Sequence, residues 1–270
     1  MPIPPTHIDA PVVDCHAHVW HQDMPLAATA WHRPPGEATI EQYVATLDAH
    51  GVTFAVLAAA SIYGTCNEYA IEACRRHERL RTTVILEPDT PPRHMRELAA
   101  KGVVGVRLQL RNVSDVPDLA SPEYRLFLRR AADLGWHVHV HDDAHRLPDY
   151  LDTLEAAGVD LVVDHFGRPD RGTDDPGFQR VLRSVEKGRT WVKLSASFRL
   201  PTEELRVQAT SELLRHAGPE RLLWGSDWPF AAFETTMDYG QAVASLHRLV
   251  PDPAARRRIG CETPLKLYFS

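Results

Sequence analysis

Two histidines stand two residues apart in "VVDCHAHVW": His16 and His18. Side chains of an extended strand repeat every two residues, so both imidazoles leave the chain on one face. That arrangement can chelate a divalent metal; it also suits two buried rings bonded to backbone. A third histidine, His165, follows the apolar run of "LVVDHFGRP". Alternation then turns its neighbour Asp164 the other way, toward covering helices, to cap a turn or pair with a base. Asp227 follows a mostly apolar run in "RLLWGSDWPF". A carboxylate there is desolvated unless it meets a metal, a histidine or an arginine, although aspartate also caps helices.

"GVRLQLR" sets Arg107, Gln109 and Arg111 on one face. An inward guanidinium is costly without an anion, and its forked donors suit a carboxylate. The alternative is an internal ion pair, to an acid such as Asp227 or Glu87. "VKLSASFR" adds Ser195 and Arg199, and "ASIYGTCN" adds Ser61, Tyr63 and Gly64. In "HVHVH", the histidines His137, His139 and His141 share a face but not a depth. At ~3.3 Å per residue the outer two are ~13 Å apart, too far to share one metal.

These groups must be carried by something, and the chain punctuates itself regularly. Helix-like segments end in Gly51, Gly102, Gly135, Gly158 and Gly218, each followed by a short apolar run. Glycine suits the left-handed residue past a helix end, and valine-rich runs suit strands buried on both faces. Strands are expected near 11–19, 53–60, 82–87, 103–110, 136–141, 160–165, 190–195 and 221–226. Helices are expected near 39–50, 66–78, 92–101, 121–134, 145–157, 175–187, 202–217 and 236–249. The first opens on Thr39 with Gln42 three residues on, a capping box. Alternation of this kind implies right-handed crossovers and a parallel sheet, and eight units imply an α/β fold, the (β/α)8 TIM barrel. One domain over 1–270 is expected, with an extra C-terminal helix after residue 252. No G-x-G-x-x-G follows the first strand, which argues against a doubly wound sheet. In a barrel the chemistry sits where strands end. His141 then lies at the mouth, His137 near the closed end as a neutral core histidine, and His139 between them.

The 270 residues suit one large core, and a formal net charge of −6 with no basic block argues against nucleic acid or an anionic membrane. The four cysteines (Cys15, Cys66, Cys74, Cys261) form no C-x-x-C, and free thiols fit a reducing cytoplasm. The opening "MPIPPTHIDAPVVD" does not read as a secretory leader, and no apolar run is long enough for a membrane span. The stretch 20–38 is long for a strand-to-helix connection; its Trp20, His21, Trp31, His32 and Arg33 suit a lid.

Together, "VVDCHAHVW", "SIYGT", "GVRLQL", "GWHVHV", "VVDHFGRP", "WVKLSASFR" and "LLWGSDWP" resemble the amidohydrolase superfamily, and within it the metal-dependent hydrolases that include 2-pyrone-4,6-dicarboxylate lactonase and the sugar lactonases. The resemblance implies a hydrolase opening a lactone, or related cyclic ester, that bears a carboxylate or several hydroxyls. It makes Asp227 the base that activates water. His16, His18 and His165 would polarise the carbonyl, directly or through one divalent metal held by these three and Asp227. Zinc or manganese is implied in the second case; action without metal is equally consistent. Arg107, Arg199 and Ser61 would hold substrate, with Arg111, Tyr63 and His141 as further contacts. Binuclear relatives use a lysine at the end of strand four; Arg107 and Arg111 stand there, so two metals are not expected. Cys66, His141 and Phe230 depart from the lactonase pattern at places expected near the mouth. A zinc-dependent non-oxidative decarboxylase of the same superfamily is the alternative reaction.

Overall fold

A computed structural model describes residues 11–270. The segment 1–10, which includes most of the stretch expected to be no leader, lies outside the described residues. Eight parallel strands form one sheet in sequence order: β1 (Val13–Ala17), β2 (Phe54–Leu57), β3 (Leu80–Val84), β4 (Val103–Gln109), β5 (His137–His141), β6 (Asp160–Val163), β7 (Thr190–Ser195) and β8 (Leu222–Gly225). Helices alternate with them: α1 (Ile40–Ala49), α2 (Glu68–Arg76), α3 (Pro92–Ala99), α4 (Pro122–Asp133), α5 (Pro148–Ala156), α6 (Pro176–Glu186), α7 (Glu203–Ala217) and α8 (Tyr239–Leu249). The barrel closes just past β8, where His18 N donates to Trp228 O (2.8 Å) and Asp227 N donates to His16 O (2.7 Å). This is the expected (β/α)8 barrel. Among the described residues, no helix is long and apolar enough to cross a membrane.

Local chemistry sets the boundaries. Thr39 and Gln42 form the expected capping box at the start of α1, and Asp238 and Gln241 form a second before α8. The five punctuating glycines all have positive φ, between 61° and 93°. β3 starts two residues and ends three residues earlier than expected. Asn67 ends it, because its side chain takes both the N–H (3.0 Å) and the C=O (2.9 Å) of Ile85 and leaves no ladder to extend.

β1 carries one extra residue: Asp14 pairs with Ala55, yet Ala17 pairs with Leu57. Such a bulge re-aims side chains. Asp14 therefore faces outward to the tyrosine hydroxyls of α1 and α8 (Tyr43 and Tyr239, each 3.0 Å), while Cys15 and His16 both lie inside. Gly225 is the counterpart across the closure. A Cβ there would lie 2.5 Å from the His16 Cβ, so any side chain would push the histidine out of place.

The main core lies between strands and helices. A smaller cluster fills the barrel's closed end: Val13, Cys15, Val56, Val162, Leu223 and Tyr268. Tyr268 comes from the C-terminal tail, which forms α9 (Pro253–Arg257), a wide turn and α10 (Thr263–Tyr268). Its ring packs on His137 (5.2 Å) and His139 (6.0 Å) and plugs the barrel from below. Its hydroxyl is buried with no hydrogen-bond partner among the described residues. Tyr268→Phe should therefore leave stability unchanged or raise it, since the lost hydroxyl satisfies nothing. Tyr268→Ala should cost ~3–5 kcal/mol by opening a cavity. Thermal unfolding of the two variants checks this; a Phe variant as damaged as the Ala variant would contradict it.

Candidate active site

At the mouth, the chain leaves β8 through Ser226 and turns sharply, with Asp227 at φ 66°. The Asp227 carboxylate is buried, and Arg199 Nε donates to its Oδ2 at 2.8 Å. Its Oδ1 faces three imidazoles: His18 Nε2 at 3.5 Å, His16 Nε2 at 3.6 Å and His165 Nε2 at 3.9 Å. The residues expected from β1, β6 and β8 thus meet at one oxygen. Burial alone would push the Asp227 carboxyl up; the Arg199 guanidinium, together with the facing imidazoles, reverses this and holds it well below the usual carboxylate range.

The second nitrogen of each ring is also engaged. His18 Nδ1 lies 2.7 Å from Ala58 O, an acceptor, so Nδ1 carries a proton, and in the neutral ring Nε2 carries the lone pair. His165 Nδ1 meets Ser195 Oγ at 2.9 Å. His16 Nδ1 lies 3.1 Å from Lys193 Nζ and 3.3 Å from Asp164 Oδ1. Burial and then Lys193 push the His16 imidazole down to about 3, so it is neutral at pH 7.

Asp164 corrects the sequence reading, which turned it toward the helices. It lies inside the barrel, with Arg107 Nε donating to Oδ2 at 3.0 Å and Lys193 Nζ 3.1 Å from Oδ1. The reason is the end of β6: the chain stops at Val163, and His165 and Phe166 adopt positive φ, so strand alternation no longer separates neighbours. Desolvation would raise the Asp164 carboxyl, but Lys193, His16 and Arg107 hold it well below its ordinary value. Arg107 accordingly pairs with Asp164, not with Asp227 or Glu87.

Above this floor lies a cavity of about 290 Å³. Four arginines line it: Arg107, Arg111, Arg168 and Arg199. Each is already paired, with Asp164, Asp143 (2.8 Å), Asp170 (2.6 Å) and Asp227 respectively. A guanidinium has five N–H donors, so one such pairing leaves others for a ligand. His18, His141, His165 and Ser61 also line the cavity, and Trp31, 43% exposed, covers one side with its Nε1–H on Ser61 Oγ (3.3 Å). The 20–38 stretch is pinned at both ends by Trp20 and Ala38, which exchange backbone bonds of 2.8 and 3.0 Å. His32 ties its middle to Glu234 at 2.7 Å.

Some expected residues lie elsewhere. His16 sits under the floor rather than on the cavity wall. Tyr63 does not line this cavity; it packs with Trp20 (6.0 Å), Ile62 and Met24 beneath the long stretch. Ser61–Tyr63 is a single 3-10 turn of three residues, so a residue two positions after Ser61 faces away from it. Cys66 joins the same apolar cluster, and Phe230 is buried against Phe198 (6.0 Å); neither lines the cavity. Sequence reasoning missed Lys193 and Arg168. Lys193 sits two before the inward Ser195, between Val192 and Leu194, and alternation alone would have turned it inward. Arg168, at φ 51°, follows an irregular turn that no periodicity describes.

For a metal, His16, His18 and Asp227 have donor atoms within 4.8 Å of one another, as do His16, Asp164 and His165. Four ligands ~2.0–2.1 Å from a tetrahedral ion would be ~3.3 Å apart, near the 3.5–3.9 Å between Asp227 Oδ1 and the three imidazoles. His18 fits as it stands, with its lone pair on Nε2. His16 does not, because the contact with Lys193 falls on its other nitrogen.

The amidohydrolase family model matches residues 13–269, so the chain belongs to the amidohydrolase family. It is 28% identical over 285 residues to the 2-pyrone-4,6-dicarboxylate hydrolase of Comamonas testosteroni, covering 98% of this chain and 92% of that protein. It is 26% identical over 266 residues to the 4-sulfomuconolactone hydrolase of Hydrogenophaga intermedia, covering 94% and 88%. The crystal structure of a probable 2-pyrone-4,6-dicarboxylic acid hydrolase of Acinetobacter baumannii, with citric acid bound, superposes with a TM-score of 0.92 at 30% identity, covering 97% of this chain and all of that one.

The three β5 histidines are all held below their ordinary value of 6.5, chiefly by burial. Folded they are neutral; unfolded they take up protons below pH 6.5. The unfolded state then binds more protons, so stability falls as pH drops from about 6.5 toward the folded values, by up to ~1.4 kcal/mol per pH unit per histidine. Urea unfolding between pH 7.5 and 5.0 should show this slope, and a flat profile would contradict it.

Proposed function

We propose that this chain is a hydrolase that opens a lactone, or related cyclic ester, bearing at least one carboxylate. The observation that carries the reading is one buried carboxylate oxygen, on Asp227, faced by three imidazole Nε2 atoms at 3.5–3.9 Å on the floor of an arginine-lined cavity. Asp227 is kept ionised by Arg199 and is a proton acceptor at neutral pH. A water beside it, oriented by the Nε2 lone pair of His18, attacks the ring carbonyl carbon. Asp227 takes the water's proton as the new C–O bond forms. The oxygen that gains charge is stabilised by the His165 imidazole, whose Nε2 carries the proton when the Ser195 hydroxyl donates to its Nδ1. The ring C–O bond then breaks, and the proton passes from Asp227 to the departing oxygen, leaving an acid and a hydroxyl on one open chain.

Arg199 and Arg107 lie nearest the reacting centre, and Arg111 and Arg168 stand together at Asp143. That arrangement supports recognition of a carboxylate away from the scissile bond. Ser61 and His141 supply further contacts, and Trp31 offers a flat face to a planar ring. The hydrolase names of the relatives support the same reaction class. The chain is read as acting as one domain over 1–270, on a small molecule.

Asp227→Asn removes the proton acceptor while keeping shape, and should lower kcat roughly 10²–10⁴-fold on any lactone the wild type opens. The measurement is turnover of a panel of carboxylated lactones, with and without chelator, alongside the melting temperature. Near-normal kcat in a folded Asn variant would overturn the proposal.

A further inference from the structure

Lys193 has no place in the chemistry above, yet it sits at the centre of the barrel with no exposure. Its Nζ has three neighbours at one distance: Asp164 Oδ1, His16 Nδ1 and His139 Nδ1, each 3.1 Å. An ammonium carries three N–H donors and no lone pair, and 3.1 Å is a normal N–H bond length. Both imidazole Nδ1 atoms must then be acceptors, since an N–H there would point at another N–H. The 3.3 Å approach of Asp164 Oδ1 to His16 Nδ1 follows from the same arrangement: two acceptors gathered round one cation.

A neutral imidazole has one proton. If Nδ1 of His16 is a lone pair, the proton is on Nε2, and Nε2 is the atom that faces Asp227 and has no hydrogen-bond partner among the described residues. His18, its neighbour on the same face, is held the opposite way by the Ala58 carbonyl. We propose that Lys193 is a positioning residue: it fixes His16 as an Nε2–H donor into the active site, and so denies that corner to a metal ion. The H-x-H pair is thereby split into one donor and one acceptor. His18 orients the water, and His16 turns its N–H toward Asp227 Oδ1 from beneath the floor. Only the role of His18 toward water rests on the lactone-hydrolase reading; the tautomer and the metal exclusion stand without it.

Two measurements test the inference. Long-range proton–nitrogen correlation on ¹⁵N-histidine-labelled protein, with His16→Asn used for assignment, should find His16 protonated on Nε2 and His18 on Nδ1. Zinc affinity, measured by competition with a chromophoric chelator, should rise roughly 10–100-fold in Lys193→Met, because His16 then turns its proton to Asp164 and frees Nε2. The wild-type spectrum does not depend on whether that variant folds. His16 protonated on Nδ1 in the wild type would overturn the proposal, as would zinc bound equally tightly by wild type and a folded Lys193→Met. Failure of every lactone in the panel would overturn the reaction class and leave the tautomer result intact.

Discussion

The inner floor of this barrel depends on the Asp164 carboxylate. Among the described residues it is the one carboxylate paired with both buried cations, Lys193 and Arg107, and it also touches His16. Strands β1, β4 and β7 each bring one partner toward it, and Asp164 itself follows directly on β6. A buried ion pair adds little net stability over apolar packing, but removing one member costs ~3–5 kcal/mol because an uncompensated charge stays behind. The group is retained for position. It fixes Arg107 below the cavity and Lys193 against His16, so the chemical floor and the structural core share one set of bonds.

A second buried acid does the same work from outside. Asp14 accepts from His16 N (3.1 Å) and Ser226 N (2.9 Å) at Oδ1, and from Ser226 Oγ (2.6 Å), Tyr43 and Tyr239 at Oδ2. It thereby clamps the end of β1 to the turn after β8, at the closure that positions Asp227. The bulge in β1 is what allows one short segment to send Asp14 out and His16 in. Gly225 leaves the room that this close approach requires.

The two acids and their cations also set the electrostatic character of the site. Lys193, Arg107 and Arg199 face Asp164 and Asp227, and the imidazoles His16 and His165 are held below their ordinary values by burial. Three cations against two anions leave an excess of one positive charge at the floor, while Arg111 and Arg168 at the rim are balanced by Asp143 and Asp170. Such a site favours an anionic ligand and an oxyanion over a divalent cation. Membership of the amidohydrolase family thus does not by itself decide how the carbonyl is polarised.

The barrel was legible in the sequence, because helices, several stopped by glycine, alternate with apolar strands in eight units, no dinucleotide fingerprint follows the first strand, and the motifs resemble a barrel family. The sequence also singled out strand ends that converge: His16, His18 and His165 all face one carboxylate oxygen of Asp227. It placed the β5 histidines correctly by depth, since strand geometry is rigid enough to count along. It failed where the backbone leaves regular geometry. Asp164 was turned the wrong way because β6 ends before it, Tyr63 because a 3-10 turn does not alternate, and Arg168 because it follows a left-handed turn. Lys193 was within reach of alternation, but its meaning was not, since a lysine becomes informative only once its three partners are known. The proton positions on His16 and His18 belong wholly to the tertiary structure. The motif gives two identical rings; only Lys193 on one side and the Ala58 carbonyl on the other, residues distant in the chain, make one a donor and the other an acceptor.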